Sequence, residues 1–446
     1  MEHHLVDGAP SYWRFICDIL DFKLRQRMRV AIIGGGTGGV VSALSLVSRS
    51  LPWMKFDLIH DPNIPIFGVG EALSHDFVNL IRNATQFSPP FDLEKLNAKI
   101  KQGIMFIDWQ ENQNYPQSTS GYIPLSTQGL HVDTFALKDY ALPRLKHYFP
   151  DKFREVEGNV SKIWQDSKKA YLSLGDDTLE YDFIIDARGT PKDIDDTYER
   201  PTSIPVDSAV LNVCSHPGDW DFTYAMATRD GWCFGIPVHQ RSTWGYTFNR
   251  SITSDEEAIR NCHEFLHTHR IPKKHINYNT LKENFHVLKW DHYHSKKIAD
   301  GRILRNGSML FQYEPLHGYS VPLFTTMATQ FLEYFSRDMT EEDLNANYLE
   351  YMDSFGDLIA FHYHKGSIYD TPFWKHASEI STNQLQGSEW MKICLSECFT
   401  FEDAANMEDF LTTAPIAHPM FIWEIDKAFN FGYFNHIPDH HTVIDT

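Results

Sequence analysis

The glycine-rich stretch at residues 30–47, VAIIGGGTGGVVSALSLV, constrains the fold of this 446-residue chain more than any other feature. It opens with four apolar residues that suit a buried parallel strand. Gly34, Gly36 and Gly39 follow with G-x-G-x-x-G spacing, and the next eight residues have the composition of a helix. Such glycines permit a tight turn, close approach of a pyrophosphate, and close packing of helix on strand. The order of strand, turn and helix therefore predicts a dinucleotide site.

A helix after the glycines would present free N–H groups and the positive end of its dipole to phosphates. In such sites an acidic residue about 20 residues further on holds a ribose hydroxyl. Asp61 lies near that distance, after the strand-like run from Phe56 to Ile59. Two alternatives are a glycine-rich turn without a ligand and a membrane span, but five glycines in one turn make a poor span.

Composition excludes several classes of function. The formal net charge of −19 disfavours nucleic acid and leaves no basic patch for anionic lipid. The six cysteines are scattered without a C-x-x-C pair, which is typical of reduced thiols. We therefore predict a cytoplasmic protein without nucleic-acid or membrane partners. Residues 1–27 lack the sustained apolar core of a signal peptide and are predicted to be an N-terminal extension.

The pattern of apolar residues predicts an α/β fold. We expect a βαβ nucleotide-binding body at 28–345, interleaved with an antiparallel substrate sheet inserted at about 190–300, where the sequence is rich in Trp, Tyr, Phe and Thr. A helical C-terminal region is expected at 346–446. Residues 112–128, rich in Pro, Ser, Thr and Gly, are predicted to form an exposed loop.

Further motifs stand in a fixed order between about Met28 and Trp374. They are GGGTGG at 34–39, GVGEA at 68–72, Lys101 eight residues before Trp109, GWCFGIP at 231–237, EPL at 314–316 and DTPFW at 370–374. Together they resemble the flavin-dependent halogenases, the tryptophan-halogenase-like branch of two-component FAD enzymes. The resemblance implies that the nucleotide body binds FAD, which a separate flavin reductase supplies in reduced form. With dioxygen, the flavin would oxidise halide, a substrate, to hypohalous acid that halogenates a small electron-rich aromatic.

The resemblance also implies roles for individual residues. FAD binding is expected of Gly34, Gly36, Thr37, Gly38, Gly39, Asp61, Val160 and Val321. Lys101 matches the lysine that polarises hypohalous acid or carries halogen as a haloamine, although alternation along a strand places Lys99 on the same face. GWCFGIP matches the family's W-x-W-x-I-P pattern. Its members Trp232, Phe234, Ile236 and Pro237 are expected to form a wall between flavin and substrate.

The chain departs from the family at the halide loop. Tryptophan-specific members carry E-P-L-E-S-T-G, whereas residues 314–320 are EPLHGYS. His317 replaces the glutamate opposite Lys101 and is predicted to handle a proton, while Tyr319 and Ser320 would hold halide through backbone N–H groups. Both changes should weaken chloride handling most, so we predict a preference for bromide or iodide, acting on phenols or indoles. His60 also stands where the family often has glutamate, one place before Asp61.

Other functions remain open. Residues 263–267 spell H-E-x-x-H, the zinc protease motif, with His269 as a conceivable third ligand. We nevertheless predict no metal site, because the 23 histidines and 23 glutamates can produce such a match by chance and the motif falls in a peripheral segment of the resemblance. A flavin-dependent aromatic monooxygenase that uses no halide shares every FAD motif, and a catalytically silent FAD-binding relative is a third alternative. A homo-oligomer is compatible with the sequence.

Overall fold

The structure is a computed structural model that describes residues 28–66, 68, 70–109, 121–268 and 286–388, without the side chains of 121–128 and 317. The expected extension at 1–27 and the last part of the expected helical region, from residue 389 onward, lie outside the described residues.

The strands and helices follow in chain order. The strands are β1 (Arg29–Ile33), β2 (Lys55–His60), β3 (Glu71–Leu73), β4 (Lys99–Ile107), β5 (Gly121–Val132), β6 (Phe153–Glu157), β7 (Val160–Gln165), β8 (Ala170–Leu174), β9 (Asp177–Tyr181), β10 (Phe183–Asp186), β11 (Tyr198–Glu199), β12 (Ser208–Cys214), β13 (Phe222–Thr228), β14 (Gly231–Pro237), β15 (Ser242–Phe248), β16 (His286–Lys289), β17 (Tyr293–Ser295), β18 (Ala299–Asp300), β19 (Ile303–Arg305) and β20 (Phe311–Gln312). The α-helices are α1 (Thr37–Arg49), α2 (His75–Thr85), α3 (Pro89–Asp92), α4 (Thr134–Tyr148), α5 (Asp255–Thr268), α6 (Ser320–Ser336), α7 (Glu341–Tyr363) and α8 (Pro372–Gly387).

The expected nucleotide-binding sheet is present. It has six strands in the order β18-β19-β10-β1-β2-β6, all parallel except the edge strand β18. β1 lies inside the sheet and is buried at four of its five residues, which explains its continuous apolar run. Because β1, α1 and β2 follow one another in the chain, the glycine-rich turn lies at the carboxyl edge of a parallel sheet, where such folds bind ligands.

A second sheet has eight strands in the order β16-β12-β15-β14-β13-β4-β5-β3. It is antiparallel except where β13 pairs with β4. This sheet is not confined to an insertion at about 190–300, because β3, β4 and β5 come from residues 71–132. The loop expected at 112–128 is also wrong from Gly121 onward. There the chain forms β5, whose backbone groups are paired between β4 and β3 despite its low strand propensity.

The helical region begins earlier than expected, at Ser320 rather than at 346. α6 packs against α1 of the nucleotide-binding body, which explains its broad apolar surface. α7 begins at a capping box in which Thr340 and Asp343 exchange hydrogen bonds. None of the helices in the described ranges is both long and apolar enough to cross a membrane.

Candidate functional site

The three glycines of the nucleotide motif have different surroundings. Gly34 has a φ of +123°, and a β-carbon added there would lie 2.1 Å from the carbonyl oxygen of Ala187. A β-carbon on Gly39 would lie 1.9 Å from the carbonyl oxygen of Gly34, so the helix and the strand pack too closely for any residue with a side chain at this position. At Gly36 no described atom lies within 4 Å of the β-carbon position. The turn therefore has no room for a side chain at Gly34 or Gly39, but it has free space at Gly36, the glycine expected to approach the pyrophosphate.

The start of α1 suits an anion. Gly36 caps the helix without a side chain, and the first turn, which begins at Thr37, carries no acidic residue. Its first N–H groups and the positive end of the helix dipole face the open side of the turn. These features fit the pyrophosphate of FAD.

A contact that the sequence did not reveal holds this helix start in place. A β-carbon on Gly38 would lie 2.5 Å from Cα of Gly307, which itself has a φ of +64°. The preceding Asn306 is fully buried, and its Nδ2 donates to Ser42 Oγ at 2.9 Å and to the carbonyl oxygen of Phe324 at 3.0 Å. The only local signal was the Asn-Gly pair, which is typical of a turn.

The carboxylate of Asp61 is already engaged by neighbouring amides. Its Oδ1 accepts from the N and Nδ2 of Asn63 at 2.9 and 3.0 Å, and its Oδ2 accepts from Asn159 Nδ2 at 3.1 Å. These hydrogen bonds lower the pKa of Asp61. The predicted role of Asp61 at the ribose remains a prediction.

His60, the last residue of β2, lies against the glycine turn. A β-carbon on Gly35 would lie 3.0 Å from Cγ of the His60 ring. The ring is nearly buried, with Nε2 at 2.7 Å from Glu155 Oε1 and Nδ1 at 3.3 Å from Lys138 Nζ. Since a carboxylate only accepts and an ammonium only donates, we assign the hydrogen to Nε2 and leave Nδ1 as an acceptor.

Val160 and Val321, two further residues expected at FAD, bury their side chains in apolar clusters of the core. Only their backbone groups are therefore suited to contact a cofactor. The carbonyl oxygen of Val160 accepts from Nη1 of Arg188 at 3.4 Å.

A cavity of about 90 Å³ lies against one face of the eight-stranded sheet. Strand alternation, with the register irregularity after Lys101 in β4, directs side chains from three neighbouring strands into it. These are Lys101, Ile104 and Phe106 of β4, Thr223 and Ala225 of β13, and Trp232, Phe234 and Ile236 of β14. The remaining lining comes from Gly70, Glu71 and Ala72 and from Pro315, Leu316 and Gly318.

The cavity brings together four motifs from separate parts of the chain: the GVGEA segment, the lysine of β4, the expected wall and the EPL loop. Of the four predicted wall residues, Trp232, Phe234 and Ile236 line the cavity. Pro237 does not, because the next residue on a strand points to the other face.

The structure separates the two lysines that the sequence could not. Lys101 is 3% exposed and lines the cavity, and burial lowers its pKa to about 8. Lys99 donates instead to the carbonyl oxygen of Gly218, outside the cavity lining. The pairing of β4 with β5 is regular from Lys99 to Lys101 and becomes irregular only between Lys101 and Gly103, so the packing around the two lysines separates them, not the irregularity.

Glu71 of the GVGEA motif also lines the cavity, although it was not among the predicted site residues. Burial raises the pKa of Glu71 to about 7. Its neighbour Ala72 contacts the halide loop, since a β-carbon on Gly318, with a φ of +66°, would lie 2.6 Å from the carbonyl oxygen of Ala72. In the sequence, the GVGEA motif at 68–72 was the feature that pointed to this segment.

The predicted halide residues lie at the start of α6. Tyr319 is the N-cap of this helix, and within the described residues no side chain caps it. The first turn, which begins at Ser320, contains no acidic residue, so its N–H groups suit an anion. His317 belongs to the short turn Leu316–Gly318, and its side chain lies outside the described residues.

The tryptophans of two other motifs pack together behind the wall. The rings of Trp109 and Trp374 are 5.5 Å apart, edge to face, and Trp109 lies 6.4 Å from Trp232. The DTPFW motif also starts α8, with Thr371 accepting from the N–H of Trp374 and proline at the first helical position. The DTPFW motif therefore packs Trp374 against Trp109, which follows the strand that carries Lys101.

The H-E-x-x-H residues lie on α5, which packs on the opposite face of the sheet from the cavity. Nε2 of His263 is 3.0 Å from Nε2 of His267, and Glu264 is exposed. His269 lies outside the described residues. Within the described ranges, no group of three or more His, Cys, Asp or Glu side chains is arranged to hold a metal ion.

Comparison with known proteins agrees with these motifs. A family model described as tryptophan halogenase matches residues 29–171 and 150–389. The tryptophan 7-halogenase RebH of Lentzea aerocolonigenes is 22% identical over 431 residues, covering 79% of each chain.

Two crystal structures share the fold. One is MibH, a lathipeptide tryptophan 5-halogenase, with a TM-score of 0.72 and 19% identity over 90% of this chain and 85% of that chain. The other is a tryptophan halogenase from Shewanella frigidimarina, with a TM-score of 0.70 and 15% identity over 94% of this chain and 97% of that chain. Because the family model spans most of the residues from 29 to 389, the chain belongs to the tryptophan halogenase family and is an FAD-dependent halogenase.

Proposed function

We propose that this halogenase takes reduced FAD from a separate flavin reductase and, with dioxygen, oxidises halide to hypohalous acid that halogenates an electron-rich aromatic beside Lys101. The observation that carries the proposal is the cavity that joins Lys101 to the aromatic wall and to the halide loop. When bound, reduced FAD supplies the electrons with which dioxygen is activated.

The glycine turn would hold FAD. Gly36 leaves room for the pyrophosphate, and the N–H groups at the start of α1 would donate to it. Gly34, Thr37, Gly38 and Gly39 would shape this turn.

The wall would keep the organic substrate and water away from the flavin. Trp232, Phe234 and Ile236 present bulky apolar surfaces to the cavity, and apolar walls strengthen electrostatic interactions by excluding water. Hypohalous acid is small enough to pass a cavity of about 90 Å³, in which an aromatic ring has no room to spare.

Lys101 would act on the transferring halogen. Its ammonium group donates a hydrogen bond to the hypohalous oxygen and makes the halogen more electrophilic. Because burial lowers its pKa to about 8, the same group can lose and regain a proton near neutral pH. We propose that His317 exchanges a proton in place of the family's glutamate.

The halide loop is the basis for the proposed halide preference. Backbone N–H groups of Tyr319 and Ser320 would hold the anion at the start of α6. Bromide and iodide are less strongly hydrated and more easily oxidised than chloride, so they depend less on a specialised site. We therefore propose bromide or iodide as the preferred halide, and a phenol or an indole as the substrate.

The test supplies the purified chain with reduced FAD, dioxygen, a panel of phenols and indoles, and equal concentrations of chloride, bromide and iodide. We expect halogenated products, chiefly brominated or iodinated ones. Mainly chlorinated product would contradict the halide preference. Hydroxylated product without halogen would favour an aromatic monooxygenase, and the absence of product with every halide would favour a silent relative.

A further inference from the structure

A buried histidine lies beside the cavity lysine. His131 of β5 is 0% exposed, and its Nε2 lies 2.9 Å from Oγ1 of Thr223. Its Nδ1 is buried and has no hydrogen-bond partner among the described residues. His131 is therefore tied to a single polar group, the hydroxyl of Thr223.

The His131 ring is neutral and has one N–H to place. Burial, together with the nearby positive charges of Lys101 and Lys99, holds the pKa of His131 well below its usual value. Because unpaired N–H groups are the rarest orphans in protein interiors, we assign the hydrogen to Nε2, which donates to Thr223 Oγ1. The hydroxyl hydrogen of Thr223 is then directed away from the histidine.

Thr223 lines the same cavity as Lys101. It lies on β13, next to β4, where it pairs in register with Ile104. The other side chains that these two strands contribute to the cavity, apart from Lys101, are apolar: Ile104, Phe106 and Ala225. A hydroxyl on this surface is therefore a second hydrogen-bond donor for a small molecule that Lys101 binds.

We propose that Thr223 is a further catalytic residue, whose hydroxyl donates to the hypohalous oxygen alongside Lys101, and that His131 is the positioning residue that orients it. This inference rests on the proposed function.

The chemistry balances without another reagent. The carbon–halogen bond forms as the oxygen–halogen bond breaks, and the departing hydroxide takes a proton from the Lys101 ammonium to become water. The ring proton at the halogenated carbon then passes to the Lys101 amine, which restores the ammonium. Thr223 keeps its own proton and only stabilises the negative charge that develops on the departing oxygen.

The test compares Thr223→Val, which removes the hydroxyl but keeps the shape, with Thr223→Ser, which keeps the hydroxyl. The full chain is assayed with reduced FAD, bromide and an indole, and taurine traps hypobromous acid that escapes. We expect Thr223→Val to lower indole halogenation by about 100-fold, the usual effect of removing one such donor. Trapped hypobromous acid should increase, FAD affinity should stay unchanged, and Thr223→Ser should keep most of the turnover.

A second pair of variants gives an answer even if Thr223→Val does not fold. His131→Leu removes the donor to Thr223 and should lose halogenation in the same way, whereas His131→Gln keeps an N–H donor and should retain it. Wild-type turnover in Thr223→Val, or equal losses in both Thr223 variants, would overturn the inference. A wild-type chain that makes no hypohalous acid with any halide would instead overturn the proposed function.

Discussion

Nε1 of Trp232 donates a hydrogen bond to Oε2 of Glu314 at 3.3 Å, and the hydroxyl of Tyr363 donates to the same oxygen at 2.8 Å. Glu314 is 1% exposed, and its Oε1 has no partner among the described residues. Burial raises the pKa of Glu314 to about 8, so the acid is largely protonated at neutral pH. A neutral carboxyl group behind the wall thus fixes the orientation of the wall tryptophan.

Glu314 should make the protein less stable as the pH rises. Its pKa is higher in the folded chain than in the unfolded chain, so the unfolded chain releases the proton first, and stability is lost between about pH 5 and pH 8. Glu314→Gln keeps a neutral acceptor for Trp232 and should remove this loss. The free energy of unfolding, measured by denaturant at pH 5 and at pH 8, should fall less in the variant than in the wild type.

The exposed Glu264 on α5 provides the matched control for this measurement. Glu264→Gln should leave the pH dependence of stability as it is in the wild type. If Glu314→Gln and the wild type lose equal stability between the two pH values, folding does not raise the pKa of Glu314, which contradicts this prediction.

Replacing Lys101 should lower the halogenation rate far more than replacing Lys99. Lys101→Met should lower halogenation by at least about 100-fold, because the group that polarises the hypohalous oxygen is lost. FAD affinity, measured by flavin fluorescence, should not change. Lys99→Met should keep most of the turnover, since Lys99 contacts the Gly218 carbonyl instead. Loss of turnover in the Lys99 variant alone would reverse the assignment.

The same lysine predicts a pH profile. Since the ammonium form donates the hydrogen bond and burial lowers the pKa of Lys101 to about 8, turnover should decline as the pH rises through that value. The rate is measured with hypohalous acid formation in excess, so that only the transfer to the aromatic limits it. A rate that stays constant from pH 7 to pH 9 would contradict this role.

Alanine substitutions at Gly36 and Gly38 should have different effects, the first on FAD affinity and the second on stability. Gly36→Ala meets no described atom within 4 Å, so the apoprotein should keep its Tm while FAD affinity falls about 10-fold, because the β-carbon occupies the pyrophosphate's path. Gly38→Ala would place its β-carbon 2.5 Å from backbone Cα of Gly307 and should cost about 2 kcal/mol of stability. Thermal unfolding and flavin titration distinguish the two; a destabilised Gly36→Ala with normal FAD affinity would count against the site.

His60, the last residue of β2, and Asp61, which follows it, should differ in their effect on FAD binding. The Asp61 carboxylate accepts from Asn63 and Asn159, and Nδ1 of His60 accepts from Lys138 Nζ at 3.3 Å, but the His60 ring also lies directly against Gly35 of the glycine turn. We expect His60→Ala to weaken FAD binding and Asp61→Asn to change it little, as measured by flavin titration of the folded variants. If Asp61→Asn weakens FAD binding more than His60→Ala does, Asp61 is the residue that contacts the ribose.

Local sequence patterns determined much of this protein. The spacing of Gly34, Gly36 and Gly39 specified a strand–turn–helix unit because the tight turn and the packing of Gly39 on Gly34 involve residues that are close in sequence. Alternation along β14 placed Trp232, Phe234 and Ile236 on one face for the same reason. These are short-range constraints, and the structure contains both features.

Tertiary structure decided what the local patterns left open. Lys101 and Lys99 share one strand and pair regularly with β5, and only the packing around β4 buries Lys101 in the cavity. The contact between His131 and Thr223 spans 92 residues of chain, and the contact between Gly38 and Gly307 links two distant segments, so no local pattern predicts either. Burial, and with it the shifted pKa values of Lys101 and Glu314, arises from packing between distant segments, because the desolvation of a charge depends on everything that surrounds it.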